Sequence, residues 1–327
     1  MKKIIEIKNV NVDFALQKGV LRASNNVSLD IYEGEIIGLV GESGSGKSTI
    51  ASTLLNIVSH PGTISSGEVL YKGKDVLKLS EKELCGYRWE DVAMIFQAAQ
   101  NSMNPVLTIK EHFLETYYAH DKSKSEEEIL KKASELLEYV RLVPERVLNS
   151  YPHQLSGGMK QRTIIALSLI LDPKVLILDE PTTALDVITQ AYIIEILKEL
   201  HEKLNITMIF LTHDVSVIGS IADRIAVMYA GEVVEVGTVF DIFEKHKHPY
   251  TKGLITATPS LTDDVTKRKA IPGTPPNLIN RPEGCQFALR CNNKIDACTK
   301  GVKELVDVDE VHKVRCCNFV LSKNEEK

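Results

Sequence analysis

A glycine-rich segment near the start of the chain has the residue types and spacing of a phosphate-binding loop. The residues 41–48, Gly-Glu-Ser-Gly-Ser-Gly-Lys-Ser, match the pattern G-x-x-x-x-G-K-[ST]. Glycines let the backbone fold so that its N–H groups converge on phosphate oxygens, and a helix that begins there adds the positive end of its dipole. Lys47 would reach the β- and γ-phosphates, and the Ser48 hydroxyl would bind Mg²⁺. The predicted nucleotide contacts are Gly41, Glu42, Ser43, Gly44, Ser45, Gly46, Lys47, Ser48 and Thr49.

Two adjacent carboxylates, Asp179 and Glu180, follow a run of four apolar residues. A buried parallel strand carries its last residues to the carboxyl edge of the sheet, where open α/β sheets bind ligands. Asp179 would then hold Mg²⁺, directly or through water, and Glu180 would polarise an attacking water as a general base. A strand followed by a solvated acidic turn is the simpler interpretation of this pair alone. The phosphate-binding loop in the same chain favours the hydrolytic interpretation.

Short apolar runs rich in branched residues predict the strands that must position these side chains. Such runs occupy Ile36–Val40, 175–178 and 206–211. The first has turn residues before it and the glycines of the phosphate-binding loop after it, which is typical of a buried parallel strand.

Apolar residues spaced along one face predict helices between these strands. They occur over 125–141 and 192–204, and Ser125 with Glu128 has the pattern of a capping box. Another helix is expected to begin near Lys47. Strands that alternate with helices predict an α/β fold, with a parallel-rich sheet covered by helices on both faces.

A second glycine-rich segment, residues 155–162, lies shortly before the acidic pair and reads Leu-Ser-Gly-Gly-Met-Lys-Gln-Arg. Ser-Gly-Gly at the start of a helix makes another anion site. With this segment the chain resembles the ABC-transporter ATPases, whose signature is Leu-Ser-Gly-Gly-x-x-Gln. The resemblance implies a P-loop NTPase fold that binds ATP. It also implies head-to-tail pairing, in which Ser156, Gly157 and Gly158 cover the γ-phosphate held by the partner's loop.

The resemblance covers roughly residues 3–250, with the motifs in the family's order. Gln97 resembles the Q-loop glutamine that senses Mg²⁺ and the attacking water. Residues 184–186 resemble the D-loop at the dimer seam, and this segment adds Asp186 to the predicted nucleotide-binding residues. His213 resembles the switch histidine that contacts the γ-phosphate, although a lone histidine would more simply be a core residue. Phe14 resembles the aromatic that stacks on adenine, or is an ordinary strand aromatic. The catalytic residues are then Glu180, His213 and Gln97, and the Mg²⁺ ligands are Ser48, Gln97 and Asp179.

The family pattern also implies a helical subdomain over 98–165. Its edge, around 101–115, would face the coupling helix of a membrane permease. This branch of the family usually has an acidic residue and a proline after the Q-loop glutamine, whereas this chain has Ala98 and Ala99. We expect this departure to alter the mobility of the loop and its docking contacts.

The composition changes near residue 246, beyond which prolines and cysteines are frequent. We therefore divide the chain into a nucleotide-binding domain, 1–250, and an irregular Pro- and Cys-rich module, 251–327. The module contains Cys285-x5-Cys291-x6-Cys298-x17-Cys316, with Cys317 adjacent. Four thiolates can bind a [4Fe–4S] cluster or a tetrahedral Zn²⁺, and unmetallated thiols or disulfides are the third alternative.

Together with the run 271–278, the module resembles the oligopeptide/dipeptide/nickel branch of the ABC ATPases. Members of that branch carry a [4Fe–4S] cluster, so the resemblance implies one here, with Zn²⁺ as the alternative. The spacing lacks the paired C-x2-C of a zinc ribbon. Since a bound metal can stabilise a small module that has little hydrophobic core, we expect the cluster or the zinc ion to have a structural role. The ligands implied are Cys285, Cys291, Cys298 and Cys316.

The net charge and the length of the apolar runs argue against other classes of protein. The net charge of −5 gives no sign of the basic footprint that nucleic-acid binding requires. The apolar runs are shorter than the roughly 18 to 20 residues that span a bilayer, and the first residues lack the apolar stretch of a secretory signal. We expect a peripheral protein at the cytoplasmic face of the cell membrane.

The resemblance implies the ATP-hydrolysing subunit of an importer for dipeptides or oligopeptides. Its partners would be two transmembrane permease subunits, a substrate-binding protein, and a second ATPase that is either identical or related. No nucleic-acid partner is expected. One alternative is a soluble ABC ATPase acting on nucleic acid or ribosomes, but such proteins carry coiled-coil insertions or two ATPase halves. Another is a metal or redox regulator built on the cysteines.

Overall fold

The computed structural model describes residues 2–183, 185–257, 270–302 and 304–325. The strands are β1 (Lys3–Leu16), β2 (Gly19–Tyr32), β3 (Ile36–Val40), β4 (Gly62–Tyr71), β5 (Lys74–Asp75), β6 (Val92–Ile95), β7 (Val175–Asp179), β8 (Thr207–Thr212), β9 (Arg224–Tyr229), β10 (Glu232–Thr238), β11 (Val306–Asp307) and β12 (Lys313–Val314). The α-helices are α1 (Lys47–Leu54), α2 (Glu81–Gly86), α3 (Ile109–Tyr118), α4 (Glu126–Tyr139), α5 (Pro144–Leu148), α6 (Gly157–Ser168), α7 (Val187–Leu204), α8 (Val215–Gly219), α9 (Val239–Glu244), α10 (Pro249–Ala257) and α11 (Cys317–Glu325). Within these ranges, no helix is both long enough and apolar enough to cross a membrane.

The chain forms two compact units. The first combines Met1–Lys78 with Leu211–Lys327, and the second is Leu79–Phe210. The cysteine-rich tail therefore belongs to the same unit as the phosphate-binding loop. The division into 1–250 and 251–327 rests on composition, does not coincide with these units, and stays a prediction.

The first unit contains an antiparallel sheet and a mixed one. Strands β2, β1, β4 and β5 form the antiparallel sheet in that order, whereas the mixed sheet runs β11-β12-β10-β9-β3 within this unit. Strand β3 pairs in parallel with β9, so that Leu39 lies opposite Ala226. All five residues of β3 are buried, as predicted for a central parallel strand. This strand leads directly into the phosphate-binding loop.

The tail contributes regular structure to the mixed sheet. Strand β12 pairs antiparallel with β10, placing Val314 opposite Glu235. The buried His312 ring lies beside the same glutamate, with 2.8 Å between its Nε2 and Glu235 Oε1. The tail, predicted as an irregular module, contains two short strands and the helix α11. Strands of two residues have no periodicity that a sequence could reveal.

The second unit carries the acidic pair on a parallel sheet surrounded by helices. Strands β7 and β6 are parallel, with Ile177 opposite Met94. Helix α4 begins after Ser125, and the predicted capping box with Glu128 is present. Helix α7 begins at Val187 rather than at the predicted residue 192, because the Asp186 side chain accepts a hydrogen bond from the Thr189 N–H and so caps the helix earlier.

Candidate functional site

The phosphate-binding loop joins β3 to α1 in the first unit, and its shape depends on glycine at two positions. Gly46 precedes α1 with φ of 100°, and a Cβ there would lie 2.7 Å from the Ala23 carbonyl oxygen. A Cβ on Gly41 would lie 2.2 Å from the carbonyl oxygen of Met228. Side chains at these two positions would therefore force the loop open. The predicted strand–loop–helix context of the motif is present.

Lys47 is buried, and its ammonium group is held within the loop. Its Nζ donates to the carbonyl oxygen of Gly41 at 2.7 Å and to that of Glu42 at 3.1 Å. Ser48, at the start of α1, is exposed. The loop thus combines a fixed cation, an exposed hydroxyl and a helix N-terminus, which is the donor set that a nucleotide phosphate with Mg²⁺ requires.

Two side chains that the sequence analysis did not identify contact this loop. The Glu42 N–H donates to the Tyr250 hydroxyl at 3.0 Å, and the Glu42 carboxylate forms an ion pair with Arg290 at 2.7 Å. Arg290 lies 248 positions away from Glu42 in the chain. No local spacing could have predicted that contact.

The acidic pair and the Q-loop glutamine lie together in the second unit. Asp179 is the buried last residue of β7, and Glu180 follows it with φ of 49°. Gln97 Nε2 donates to Glu180 Oε2 at 3.0 Å, and the Thr183 hydroxyl donates to the same oxygen at 2.9 Å. Two residues to which the sequence assigned catalytic roles are therefore in direct contact. Thr183 was not predicted.

The signature segment forms the exposed start of α6. The Met159 N–H donates to Ser156 Oγ at 3.3 Å, so Ser156 is the N-cap, and Gly157 and Gly158 begin the helix. A Cβ on Gly158 would lie 2.9 Å from Thr189 Cγ2, which explains the need for glycine there. The helix has 12 residues, so its positive N-terminal end is well developed and faces outward.

The segment that resembles the D-loop is described only in part, because Ala184 lies outside the described residues. Asp186 is exposed and caps α7, accepting hydrogen bonds from the Thr189 N–H at 2.9 Å and from the Thr189 hydroxyl at 2.6 Å. These hydrogen bonds, led by the one from the hydroxyl, lower the pKa of Asp186. Val187 and Ile188 follow it and are 80% and 83% exposed.

The two remaining predicted residues lie in the first unit. His213 comes directly after the last residue of β8 and is exposed, so the simpler interpretation of a core histidine is wrong. Phe14 is a half-buried residue of β1, paired with Leu21 and with Gly62. A Cβ on Gly62 would lie 2.7 Å from the Phe14 ring, which therefore rests on the glycine backbone. Its stacking role stays a prediction.

The tail cysteines are grouped around Cys298. The Cys285 N–H donates to the carbonyl oxygen of Cys298 at 2.9 Å. Burial raises the pKa of Cys285 to about 11, with smaller contributions from the Cys298 and Cys316 thiols. Burial likewise raises the pKa of Cys317 to about 12, again with Cys298 as a neighbour. Every cysteine is a free thiol, which excludes the disulfide alternative in this structure. Cys291 also has Cys298 and Cys316 nearby.

Four thiols grouped in this way form a donor set that a [4Fe–4S] cluster or a tetrahedral Zn²⁺ can use. The presence of either group stays a prediction.

Comparison with known proteins defines the class of this fold and site. Residues 24–183 match the ABC transporter family, and residues 234–298 match the oligopeptide/dipeptide transporter C-terminal region. The structure of the ATP-binding cassette MJ0796 bound to ADP and Pi is similar, with 33% identity and a TM-score of 0.64 over 72% of this chain and 98% of that one. The structure of cbiO1 from Clostridium perfringens has 29% identity and a TM-score of 0.64 over 75% and 92%. The α/β fold is therefore that of an ABC ATPase cassette, as predicted.

Relatives of known role cover nearly the whole chain. The dipeptide transport ATP-binding protein DppD of Caldanaerobacter subterraneus is 49% identical over 316 residues, which is 97% of either chain. The oligopeptide transport ATP-binding protein OppD of Bacillus subtilis is 42% identical over 96% of this chain and 88% of that one. The chain belongs to the family of ABC transporter ATP-binding proteins.

Proposed function

We propose that the chain is the ATP-hydrolysing subunit of an ABC importer that takes up dipeptides or oligopeptides. The observation that carries the proposal is the length of the match. Relatives named for dipeptide and oligopeptide transport align with 96% to 97% of the chain, and the C-terminal region matches that of peptide transporters. An ATPase acting on nucleic acid or ribosomes would not need this C-terminal region.

In this proposal the loop of the first unit binds ATP. Lys47, which donates to two loop carbonyls, would turn to the β- and γ-phosphates because charged oxygens are stronger acceptors. The Ser48 hydroxyl, together with Asp179 and Gln97, would hold Mg²⁺, which neutralises charge on the transferred phosphoryl group. Phe14 would stack on the adenine.

Hydrolysis is assigned to the acidic pair. Glu180 would accept a proton from the attacking water, and the donors Gln97 and Thr183 would orient its carboxylate. Gln97 would also position the water, and His213 would contact the γ-phosphate. A general base of this kind typically contributes about 10² to 10⁴ in rate.

The exposed signature helix supports pairing with a second ATPase. Ser156, Gly157 and Gly158 present a helix N-terminus that could bind the γ-phosphate held by a partner's loop. Asp186 and the two exposed apolar residues after it would lie at the same interface. The second ATPase is either identical or related. The other partners in the proposal are two permease subunits, which would hold the chain at the cytoplasmic face of the membrane, and a substrate-binding protein.

For the tail we propose a structural [4Fe–4S] cluster bound by Cys285, Cys291, Cys298 and Cys316. Support comes from the grouping of the thiols around Cys298 and from thiolate being the usual ligand of iron–sulfur clusters. Zn²⁺ is the alternative. Cys317 lies close enough to Cys298 to replace Cys316 as a ligand.

The proposal is tested by reconstituting the chain with its permeases and binding protein in vesicles and measuring uptake of a labelled dipeptide. We expect uptake with ATP and none with a non-hydrolysable analogue. Glu180→Gln should retain ATP binding, lose at least about a hundredfold in hydrolysis, and accumulate as an ATP-bound dimer, because the general base is missing. Normal turnover in that variant would exclude Glu180 as the base. ATP-independent uptake, or purification with ribosomes instead of membranes, would contradict the proposed function.

A further inference from the structure

An arginine of the cysteine-rich tail binds the phosphate-binding loop through its side chain. Arg290 Nη1 donates to Glu42 Oε2 at 2.7 Å, and Nη2 donates to Glu42 Oε1 at 2.9 Å. The remaining guanidinium donors reach the Tyr229 hydroxyl and the carbonyl oxygens of Ile271 and Pro272. All five N–H groups thus have an acceptor, and the contact with Glu42 is a bidentate fork.

The surroundings of Arg290 fix it in place. Its side chain is only 4% exposed, whereas that of Glu42 is 28% exposed. The guanidinium lies 5.6 Å from the centre of the Tyr229 ring and 6.0 Å from that of Phe287. Tyr250 packs on Tyr229 with 4.5 Å between ring centres, and its hydroxyl accepts the Glu42 N–H. The backbone and the side chain of Glu42 are therefore both held from outside the loop.

The charge of Glu42 gives this contact a consequence for nucleotide binding. A carboxylate in a loop that binds phosphates repels them unless it is neutralised. The paired guanidinium neutralises it and holds it in one direction. Since the pair is largely buried, solvent screens this effect less than it would at an exposed site.

We propose that Arg290 is a positioning residue for nucleotide binding: it neutralises Glu42 and holds the phosphate-binding loop in its binding conformation. The inference rests on the proposed function, because it requires that the loop bind a nucleotide. It assigns to the tail a role in the nucleotide site beyond that of a separately stabilised module. Arg290 directly precedes Cys291 and ends a turn in which its own N–H donates to the carbonyl oxygen of Phe287 at 2.9 Å.

The test measures binding of Mg·ADP to the full chain by titration calorimetry, which needs neither hydrolysis nor a partner. Arg290→Gln should weaken ADP binding on the order of tenfold, because the Glu42 charge is left uncompensated beside the phosphates. The double variant E42Q/R290Q should recover part of that loss, since it removes the repelling charge. A purely structural role for Arg290 predicts no recovery.

Arg281→Gln is the matched control. Arg281 also belongs to the tail and forms a largely buried ion pair, but with Glu232 at 2.9 Å. This variant should keep the ADP affinity of the wild type, and an equal loss of affinity in R281Q would overturn the inference.

Unchanged ADP affinity in a folded R290Q would overturn the inference as well. If R290Q does not fold, Arg290→Lys replaces it: lysine neutralises Glu42 but cannot hold both carboxylate oxygens, so the ADP affinity should still fall. Wild-type affinity in R290K would overturn the positioning role. Failure of the wild type to bind ADP would instead contradict the proposed function.

Discussion

The two proposed anion sites of the molecule are built in opposite ways. The phosphate-binding loop of the first unit has a buried lysine and is held by distant side chains, Tyr250 and Arg290. The signature helix of the second unit is exposed and is shaped by a local cap, Ser156. The first site is assembled by long-range contacts within one chain. The second is an open half-site, which is what an arrangement completed by a partner subunit requires.

The largest expected effect concerns the cluster proposed for the tail, which also carries Arg290. Protein purified without oxygen should contain about four irons and four sulfides per chain. Cys298→Ser should lose them and lower the thermal midpoint by about 10 °C or more, because metal binding contributes directly to folding. Exposed Cys85→Ser is the control and should change neither quantity. One zinc per chain without sulfide would favour the zinc alternative, and equal midpoints in C298S and the wild type would contradict a structural role.

Acid should weaken the surroundings of the first site. Burial lowers the pKa of His248 to about 4, against the opposing effect of Glu235 and with a smaller lowering effect of Arg315. Because the folded-state pKa lies below the ordinary value, the unfolded chain binds the proton first, and stability falls as the pH drops from about 6.5 to about 4, by up to about 3 kcal/mol. Protonation would also remove the acceptor of the Tyr250 N–H. His248→Gln should flatten the dependence of unfolding free energy on pH in this range. An unchanged slope would show that His248 does not titrate as described.

The smallest expected effect should distinguish the role of the signature helix from that of the phosphate-binding loop. Ser156→Ala removes the cap of α6 at a cost of about 1 kcal/mol. It should lower ATP hydrolysis by the dimer by about tenfold, while leaving ADP binding to the single chain unchanged. Ser125→Ala removes a comparable cap from α4, outside the predicted site, and should retain full hydrolysis. Equal activities of the two variants would mean that the signature cap matters only for folding.

The sequence predicted features that depend on near neighbours. Strand β3, the start of α1 and the capping box of Ser125 with Glu128 are each encoded within a few residues, and all three predictions are confirmed. The start of α7 was predicted five residues late, because Val187 and Ile188 do not follow an amphipathic pattern, although Asp186 and Thr189 form the cap.

Contacts between distant segments could not be predicted in this way. The pairing of β12 with β10, the hydrogen bond from Gln97 to Glu180 and the ion pair of Glu42 with Arg290 depend on how the chain folds back. Motif order predicted which side chains perform the chemistry. It did not reveal which side chains hold them in position.

The separation of Glu42 from Arg290 also sets an order of events during synthesis. The two residues are 248 positions apart, so at about 5 to 20 residues per second the ribosome adds Arg290 roughly 12 to 50 s after Glu42. During that interval the glycine loop can form, but its carboxylate has no guanidinium partner from the tail. A chain that is cut short before Arg290 would carry every nucleotide motif and still lack the Arg290–Glu42 ion pair, so the proposed nucleotide site would be complete only once Arg290 has been added.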